Sequence, residues 1–333
     1  MNERIKSLLL SVLKLGFTAF GGPAVAIALM RQEFVLKRRW LSEDEFLDFM
    51  GISAVIPGPN AMELIVHIGF KHAGWLGMIL AGLCYIIPAM LIVMVIAWAY
   101  LRFGSLPSLD GVLYGIKPVV IAILISAFVG MIKPRIKQSL GILISLAAFI
   151  AHILGIGPVV ILLGGGVIYF IIKSIRDYTS HNMPLAALLS APLPFFQVPQ
   201  NPIPFSNSHL FFVFLKAGAF MYGSGYVLLA FIEEDLVSRL GWLTSQQLLD
   251  AIAVGQVTPG PLATTATFVG YILGGIPAGL LATLAMFLPG FIFVAVTFPI
   301  FSVLRTSKQL HGLLDGVNFA ALGLMAGVTW DIG

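Results

Sequence analysis

The chain has 333 residues, of which 59% are hydrophobic and only 10% charged, against roughly 25% charged in ordinary soluble domains. No water-soluble fold of this size hides so much apolar side chain, so the bilayer is the solvent for most of it. The net charge of +4 gathers at the ends of apolar runs, as in Lys37-Arg38-Arg39 and Lys133/Arg135/Lys137, which is the pattern of cytoplasmic membrane loops and excludes a nucleic-acid partner.

In chain order, Met1-Asn2-Glu3-Arg4-Ile5-Lys6 leads into an apolar run without a small-residue cleavage site, and reads as an uncleaved first membrane element. That element is interrupted at Gly21-Gly22-Pro23, and a second apolar element at Pro57-Gly58-Pro59. Trp75 to Leu101 and Gly111 to Ile132 each supply the roughly 20 apolar residues that a spanning helix needs. Leu140 to Ile172 exceeds one span and is broken at Gly155-Ile156-Gly157-Pro158; a single crossing, an oblique one and a tight two-helix hairpin all fit. From about Asp177 to Ser208 six prolines forbid a continuous helix, so this stretch reads as a linker. The period-two alternation of a membrane barrel is absent, so the predicted class is an all-α polytopic membrane protein. Cys84, the one cysteine, excludes an intramolecular disulfide and any cysteine-based metal cluster.

After the linker the chain repeats itself. Leu13 to Ala61 matches Leu215 to Ala263 without a gap: Lys14 with Lys216, Gly21 with Gly223, Trp40 with Trp242, Asp48 with Asp250 and Pro57-Gly58-Pro59 with Pro259-Gly260-Pro261. Three units are expected: an N-terminal repeat over 1–176, a linker over 177–208 and a C-terminal repeat over 209–333. The matched loops differ in charge. Arg31, Lys37, Arg38 and Arg39 stand against Glu233, Glu234 and Asp235 with Arg239. Since Lys and Arg set sidedness, the two repeats are expected to be inverted in the membrane.

Paired breaks at equivalent places in two halves point to a transport site, because exposed backbone groups survive in a membrane only beside protein or a wet cavity. The candidates are Gly21, Gly22 and Pro23 with Gly223, Ser224 and Gly225 at the first break, and Pro57, Gly58 and Pro59 with Pro259, Gly260 and Pro261 at the second. Helices starting after Pro59 and Pro261 would aim amides and a positive dipole end at an anion. Asn60 and Glu63 follow one turn; Gln256, Thr258, Thr264, Thr265 and Thr267 crowd the other, a donor-rich lining that suits an oxyanion. Ordinary kinks without a ligand are the plainer reading. Lys14 and Lys216, within apolar runs, either attract a dianion jointly or snorkel to the interface. Glu63 and His67 share one helix face and either relay protons or pack as a polar pair. One His and one Glu make an incomplete metal site, so no metal is expected. Walker, dinucleotide-binding and nucleophile-elbow signatures are lacking, which argues against an enzyme, a catalytic residue or a cofactor.

Phe20-Gly21-Gly22-Pro23, Pro57-Gly58-Pro59-Asn60 with Glu63, and Gly255-Gln256-Val257-Thr258-Pro259-Gly260-Pro261 with Thr265-Ala266-Thr267-Phe268-Val269-Gly270-Tyr271 resemble the chromate ion transporter family over nearly the whole chain. The resemblance implies a bacterial or archaeal inner-membrane protein with two homologous halves of opposite topology. It also implies export of chromate, with sulfate as the related tetrahedral anion, driven by membrane potential or an anion gradient. Many relatives carry His where this chain has Ala26, and many are longer, so a short member is expected; a homodimer is compatible with that. Alternating access between the repeats is the expected mechanism. A passive anion channel, an exporter of a small organic solute and a non-transporting scaffold are the alternatives. Saturation with counterflow separates a carrier from a channel, and competition by the solute separates the third reading.

Overall fold

The structure is a computed structural model that describes residues 3–20, 22–54, 56–103, 122, 125–126, 128–130, 132–133, 138–178, 204–222, 225, 227–300 and 308–332. Every regular element among them is helical. Most of the expected span Gly111 to Ile132 and most of the proline-rich linker lie outside the described residues.

The first repeat opens with α1 (Glu3–Thr18) and α2 (Gly22–Arg31), which runs on as a π-helical turn over Gln32–Lys37. Next come α3 (Glu43–Ser53) and α4 (Asn60–Phe103). The second repeat follows the same plan in α7 (Asn207–Phe220), α8 (Val227–Ile232) with a π-helical turn over Glu233–Arg239, α9 (Ser245–Val257) and α10 (Thr265–Thr297). The matching reaches the level of caps. Ser42 and Glu45 form a capping box at the start of α3, and Thr244 and Gln247 form the same box at the start of α9. Just before each box a backbone bond folds the chain back onto its π turn, Trp40 N–H to the Phe34 carbonyl at 2.8 Å and Trp242 N–H to the Leu236 carbonyl at 2.9 Å.

α4 and α10 are each two helices. At Ala73 and Gly74 the backbone leaves the helical region, with φ 61° at Gly74, and at Gly274 and Gly275 it does the same, with φ 69° at Gly275. A 44-residue apolar helix is thereby divided into a short arm, 60–72, and a long arm from 75 onward. The arms fold back closely: a Cβ on Gly69 would lie 2.4 Å from the Gly77 carbonyl oxygen, and one on Gly270 would lie 2.5 Å from that of Ala278. Small residues at such a crossing let two backbones touch, the usual basis of helix pairing in lipid. At 1.5 Å per residue, α1 is about 24 Å long and the short arm of α4 about 20 Å, less than a hydrocarbon core of about 30 Å. Of α1 to α4, only the long arm of α4 is long enough to cross fully, and the long arm of α10 is its counterpart.

The long arms run antiparallel. That of α4 starts at Trp75, packed edge-on against Phe70, and ends where the Tyr100 hydroxyl donates to Asp250 at 2.7 Å and its ring meets Phe268. That of α10 ends at Phe298, packed on Phe70 at 4.0 Å, and Phe291 meets Gly82 midway. One face of the long arm of α4 is apolar and open: Leu76, Ile79, Leu83, Ile87, Leu91, Val95. The opposite face, with Ala81, Tyr85, Ala89, Val93 and Ala97, is buried. An exposed helical stripe of this kind is a lipid face.

The broken stretch after the first repeat is a hairpin of α5 (Ser139–Ile153) and α6 (Pro158–Tyr178), turned at Gly155 with φ 77° and started again at Pro158. Of the three readings open from sequence, the two-helix hairpin is the form found; α6 is long and apolar enough to cross a membrane, whereas α5, at 15 residues, is shorter than a full span. The last helix, α11 (Lys308–Ile332), lies against both through Gly316, Gly323 and Gly327; a Cβ at Gly323 would sit 2.2 Å from the Ser145 carbonyl oxygen. Four helices among the described residues are long and apolar enough to cross a membrane: Asn60–Phe103, Pro158–Ile175, Leu262–Thr297 and Gly312–Asp331.

Candidate functional site

The two Pro-Gly-Pro turns end α3 and α9 and start the short arms. Proline bars the helices from continuing, and the glycines take φ 139° at Gly58 and φ 91° at Gly260, the left-handed half of backbone space. As expected, a helix begins directly after Pro59. After Pro261 a 3₁₀ turn over Leu262–Thr264 leads into α10.

Each turn docks on the other repeat. Gly58 N–H donates to the Met221 carbonyl at 2.6 Å, and Gly260 N–H donates to the Ala19 carbonyl at 3.0 Å. Met221 and Ala19 are the residues at which α7 and α1 come apart, in front of the first breaks. The two sets of breaks thus meet, although Gly21, Gly223 and Ser224 lie outside the described residues. Gly22, the first residue of α2, has φ 82°, Pro23 lies in that helix's first turn and Gly225 packs on Leu262. These bonds engage the amides of two candidate site residues, Gly58 and Gly260, with the protein's own carbonyls.

Side chains around the turns are mostly engaged as well. Thr264 donates to the Pro261 carbonyl at 2.9 Å, Thr265 to that of Leu262 at 2.8 Å and Thr258 to that of Val254 at 2.9 Å. Thr267 pairs with Thr283 at 2.7 Å. Gln256 is half-buried, and its Nε2 has no partner among the described residues. Asn60 is the first residue of its arm and is half-buried. An anion here would recruit the threonine hydroxyls by rotating them off backbone carbonyls of their own turn.

Glu63 is fully buried and neither carboxyl oxygen has a partner among the described residues. It is held between two glycines: a Cβ at Gly58 would stand 2.0 Å from Oε1 and one at Gly290 2.6 Å. His67, also fully buried, places Nδ1 2.8 Å from the Glu63 carbonyl, and its ring lies against Phe49 and Phe298. The pair is therefore together on one helix face, as the spacing requires.

The lysines are elsewhere engaged. Lys216 forms an ion pair with Asp235, a carboxylate 2% exposed that also takes Arg239 at 2.7 Å and 3.1 Å. Lys14 is exposed on α1, near Glu33. Burial works against the charge of Glu33, but Arg38 at 2.5 Å, Lys37 at 3.6 Å and Lys14 outweigh it and hold its carboxyl below the usual range. Sequence reading had no role for Glu33 and Asp235 beyond interfacial charge. The signal was present: 33 and 235 stand at the same separation from each other as 14 and 216, so acid and lysine recur together. Gly290 was missed for lack of any local motif beyond Pro289.

At the end of the molecule where α1 starts, Glu3, Arg4, Ser7, Trp40, Lys71 and His72 line an open cavity of about 610 Å³. His72 stacks on Trp40 at 3.9 Å, and the Arg38 guanidinium lies over the same ring at 4.9 Å.

Comparison with known proteins agrees with this architecture. A family model described as chromate transporter matches residues 6–170 and 208–333. The chain is 31% identical over 332 residues to a probable chromate transport protein of Synechococcus elongatus, covering 99% of this chain and 84% of the relative. It is 32% identical to a chromate transport protein of Pseudomonas aeruginosa, covering 96% and 79%. It is 28% identical to an uncharacterized transporter of the archaeon Methanocaldococcus jannaschii, covering 98% and 84%. No solved structure matches it. With 291 of 333 residues inside the matched segments, the chain belongs to the chromate transporter family, whose members are membrane transporters and not enzymes.

Proposed function

We propose that this protein carries chromate, or a closely related oxyanion such as sulfate, out of a bacterial or archaeal cell across the inner membrane. It does so by alternating access between two inverted repeats, 1–176 and 209–333, joined by the linker 177–208. The substrate follows from relatives named as chromate transport proteins. The mechanism is carried by one observation: the reciprocal bonds from Gly58 to Met221 and from Gly260 to Ala19.

A pair of contacts repeated with the halves exchanged is what a pseudo-two-fold axis produces. The antiparallel long arms, with Tyr100 at one end and Phe298 at the other, support inversion. Basic residues favour the cytoplasmic side, so the end carrying Arg4, Lys37, Arg38, Arg39 and Lys71 is placed inside. An anion at the joined turns would face the starts of two short helices, whose dipoles favour negative charge. It would exchange the intramolecular bonds of Thr258, Thr264 and Thr265 for its own oxygens, with Asn60 and Gln256 as further donors. Each Gly–carbonyl bond would break on one side and persist on the other as one repeat rocks against its partner. Lys14, exposed on α1, and Lys216, paired with Asp235, attract the anion electrostatically, and Glu63 with His67 serves as the proton relay. Both turns belong to one chain, so this reading does not depend on a homodimer.

The test is tracer flux in proteoliposomes containing the purified protein. Saturable chromate or sulfate uptake with counterflow is expected. If neither anion moves under any imposed gradient, the reading fails; flux that never saturates makes the protein a channel.

A further inference from the structure

We infer that Glu63 is the proton-binding site of the transport cycle, and that the anion binds only while Glu63 carries its proton, so that one proton travels with each anion. This rests on the oxyanion reading above and adds the coupled ion and its stoichiometry.

The argument is geometric. Glu63 is 0% exposed, and neither of its oxygens meets a donor among the described residues. A carboxylate in that position is a buried charge without a counter-ion, which is strongly disfavoured over the neutral acid. The carboxyl group is accordingly neutral in this closed arrangement. It is also in the place where the anion would come: its Oε1 is the atom that fills the cradle of Gly58, the central residue of the first Pro-Gly-Pro turn, and Gly290 closes the cradle from α10. Two negative charges cannot share that space, whereas a protonated carboxyl can donate to an oxyanion and contribute a bond.

The neighbouring charges do not offer another partner. On its own helix the nearest titratable group is His67, one turn on, whose Nδ1 faces the Glu63 backbone carbonyl. On the elements packed against that helix, Arg31 of α2 is held by Glu43 of α3, Lys71 holds Glu45, and Asp250 of α9 is bonded to Tyr100 and Gln246. Lys14 on α1 is exposed, and Tyr85 of the long arm is buried with its hydroxyl unpartnered among the described residues. None of these forms a hydrogen bond or an ion pair with the Glu63 carboxyl. The second repeat has no acid at the matching turn; Thr264 and Thr265 stand there. One ionisable group in two otherwise matched turns gives one proton per cycle.

The experiment measures chromate and sulfate binding to the purified protein against pH, with proton uptake read by calorimetry in buffers of different ionisation enthalpy. Above the titration range of Glu63 about one proton should be taken up per anion bound and affinity should fall about tenfold per pH unit; below that range Glu63 already holds its proton and both effects should disappear. In Glu63→Gln both the proton uptake and the pH slope should vanish. Equal slopes in the two proteins across the whole pH range, or binding by the wild type without proton uptake at every pH, overturn the inference. If Glu63→Gln does not fold, the wild-type proton count alone decides it. Absence of any anion binding by the wild type at every pH overturns the transport reading instead.

Discussion

The two Pro-Gly-Pro turns share a backbone and differ in chemistry. Gly58 and Gly260 both have positive φ, both donate to the carbonyl that ends the other repeat's first helix, and both precede a short arm that folds back at a glycine. Yet the first turn is filled by a buried carboxyl and the second by threonine hydroxyls tied to their own backbone. Duplication fixes the scaffold, because each turn is needed to satisfy the other. Side chains inside the scaffold are then free to diverge, and divergence is where the two halves acquire separate tasks.

The sharpest way to break the comparison is to add one methyl group to each glycine. At Gly58 the new Cβ would stand 2.0 Å from Glu63 Oε1, so the carboxyl must leave its cradle. At Gly260 it would stand 2.8 Å from the Ala89 Cβ, with less to displace. Gly58→Ala should lower anion flux roughly 100-fold, the scale of a misplaced group in a binding constellation. Gly260→Ala should lower it roughly tenfold, a backbone strain of 1–3 kcal/mol, and Ala89→Gly should restore part of that. Equal losses at both sites would mean that the Glu63 cradle has no special standing. Flux per folded protein, after gel filtration, is the measurement.

The paired acids offer the next contrast. Asp235 is 2% exposed between Lys216 and Arg239, while Glu33 is 8% exposed and its partner Lys37 lies mostly in solvent. Asp235→Asn should cost about 2–3 kcal/mol of stability, since it leaves cations without their buried partner. Glu33→Gln should cost about 1 kcal/mol. Thermal unfolding in detergent checks both. For Glu33 the folded carboxyl titrates below its unfolded value, so its contribution is complete above the ordinary carboxylate range near 4.3 and is lost as pH falls through the folded value. The stability difference between wild type and Glu33→Gln should shrink on acidification below about pH 4.

These same residues mark where sequence reasoning stops. The repeat, the four breaks and the pairing of Glu63 with His67 are legible because proline, glycine and helical spacing act locally. The fold-backs at Ala73-Gly74 and Gly274-Gly275 are not, since a small residue in an apolar run reads equally well as a tolerated helix position. What turns the chain there is the close contact of Gly69 with Gly77 and of Gly270 with Ala278, a property of two segments together. The lysines illustrate the same limit. Position in an apolar run said that each needed a partner, but whether that partner was substrate or protein depended on how the π-helical turns bring Glu33 and Asp235 back beside α1 and α7.

The smallest contrast lies after those π turns. Gly241 has φ 62° and its counterpart Arg39 has φ 54°, the one non-glycine residue with positive φ among the described residues. Both positions redirect the chain before the matched capping boxes, so the turn demands the left-handed conformation whatever the side chain. An L-residue there costs about 1–2 kcal/mol, and glycine avoids it. Arg39 is tolerated because its side chain is exposed and its charge lies on the basic end of the molecule, where it adds to the sidedness signal. Arg39→Gly should therefore raise stability by about 0.5–1 kcal/mol, less than the full strain because glycine also gains entropy in the unfolded chain. Gly241→Ala should lower it by a similar amount. If thermal unfolding finds Arg39→Gly destabilised, the guanidinium contributes more to this end than its exposure indicates, and the equivalence of the two turns stops at the backbone.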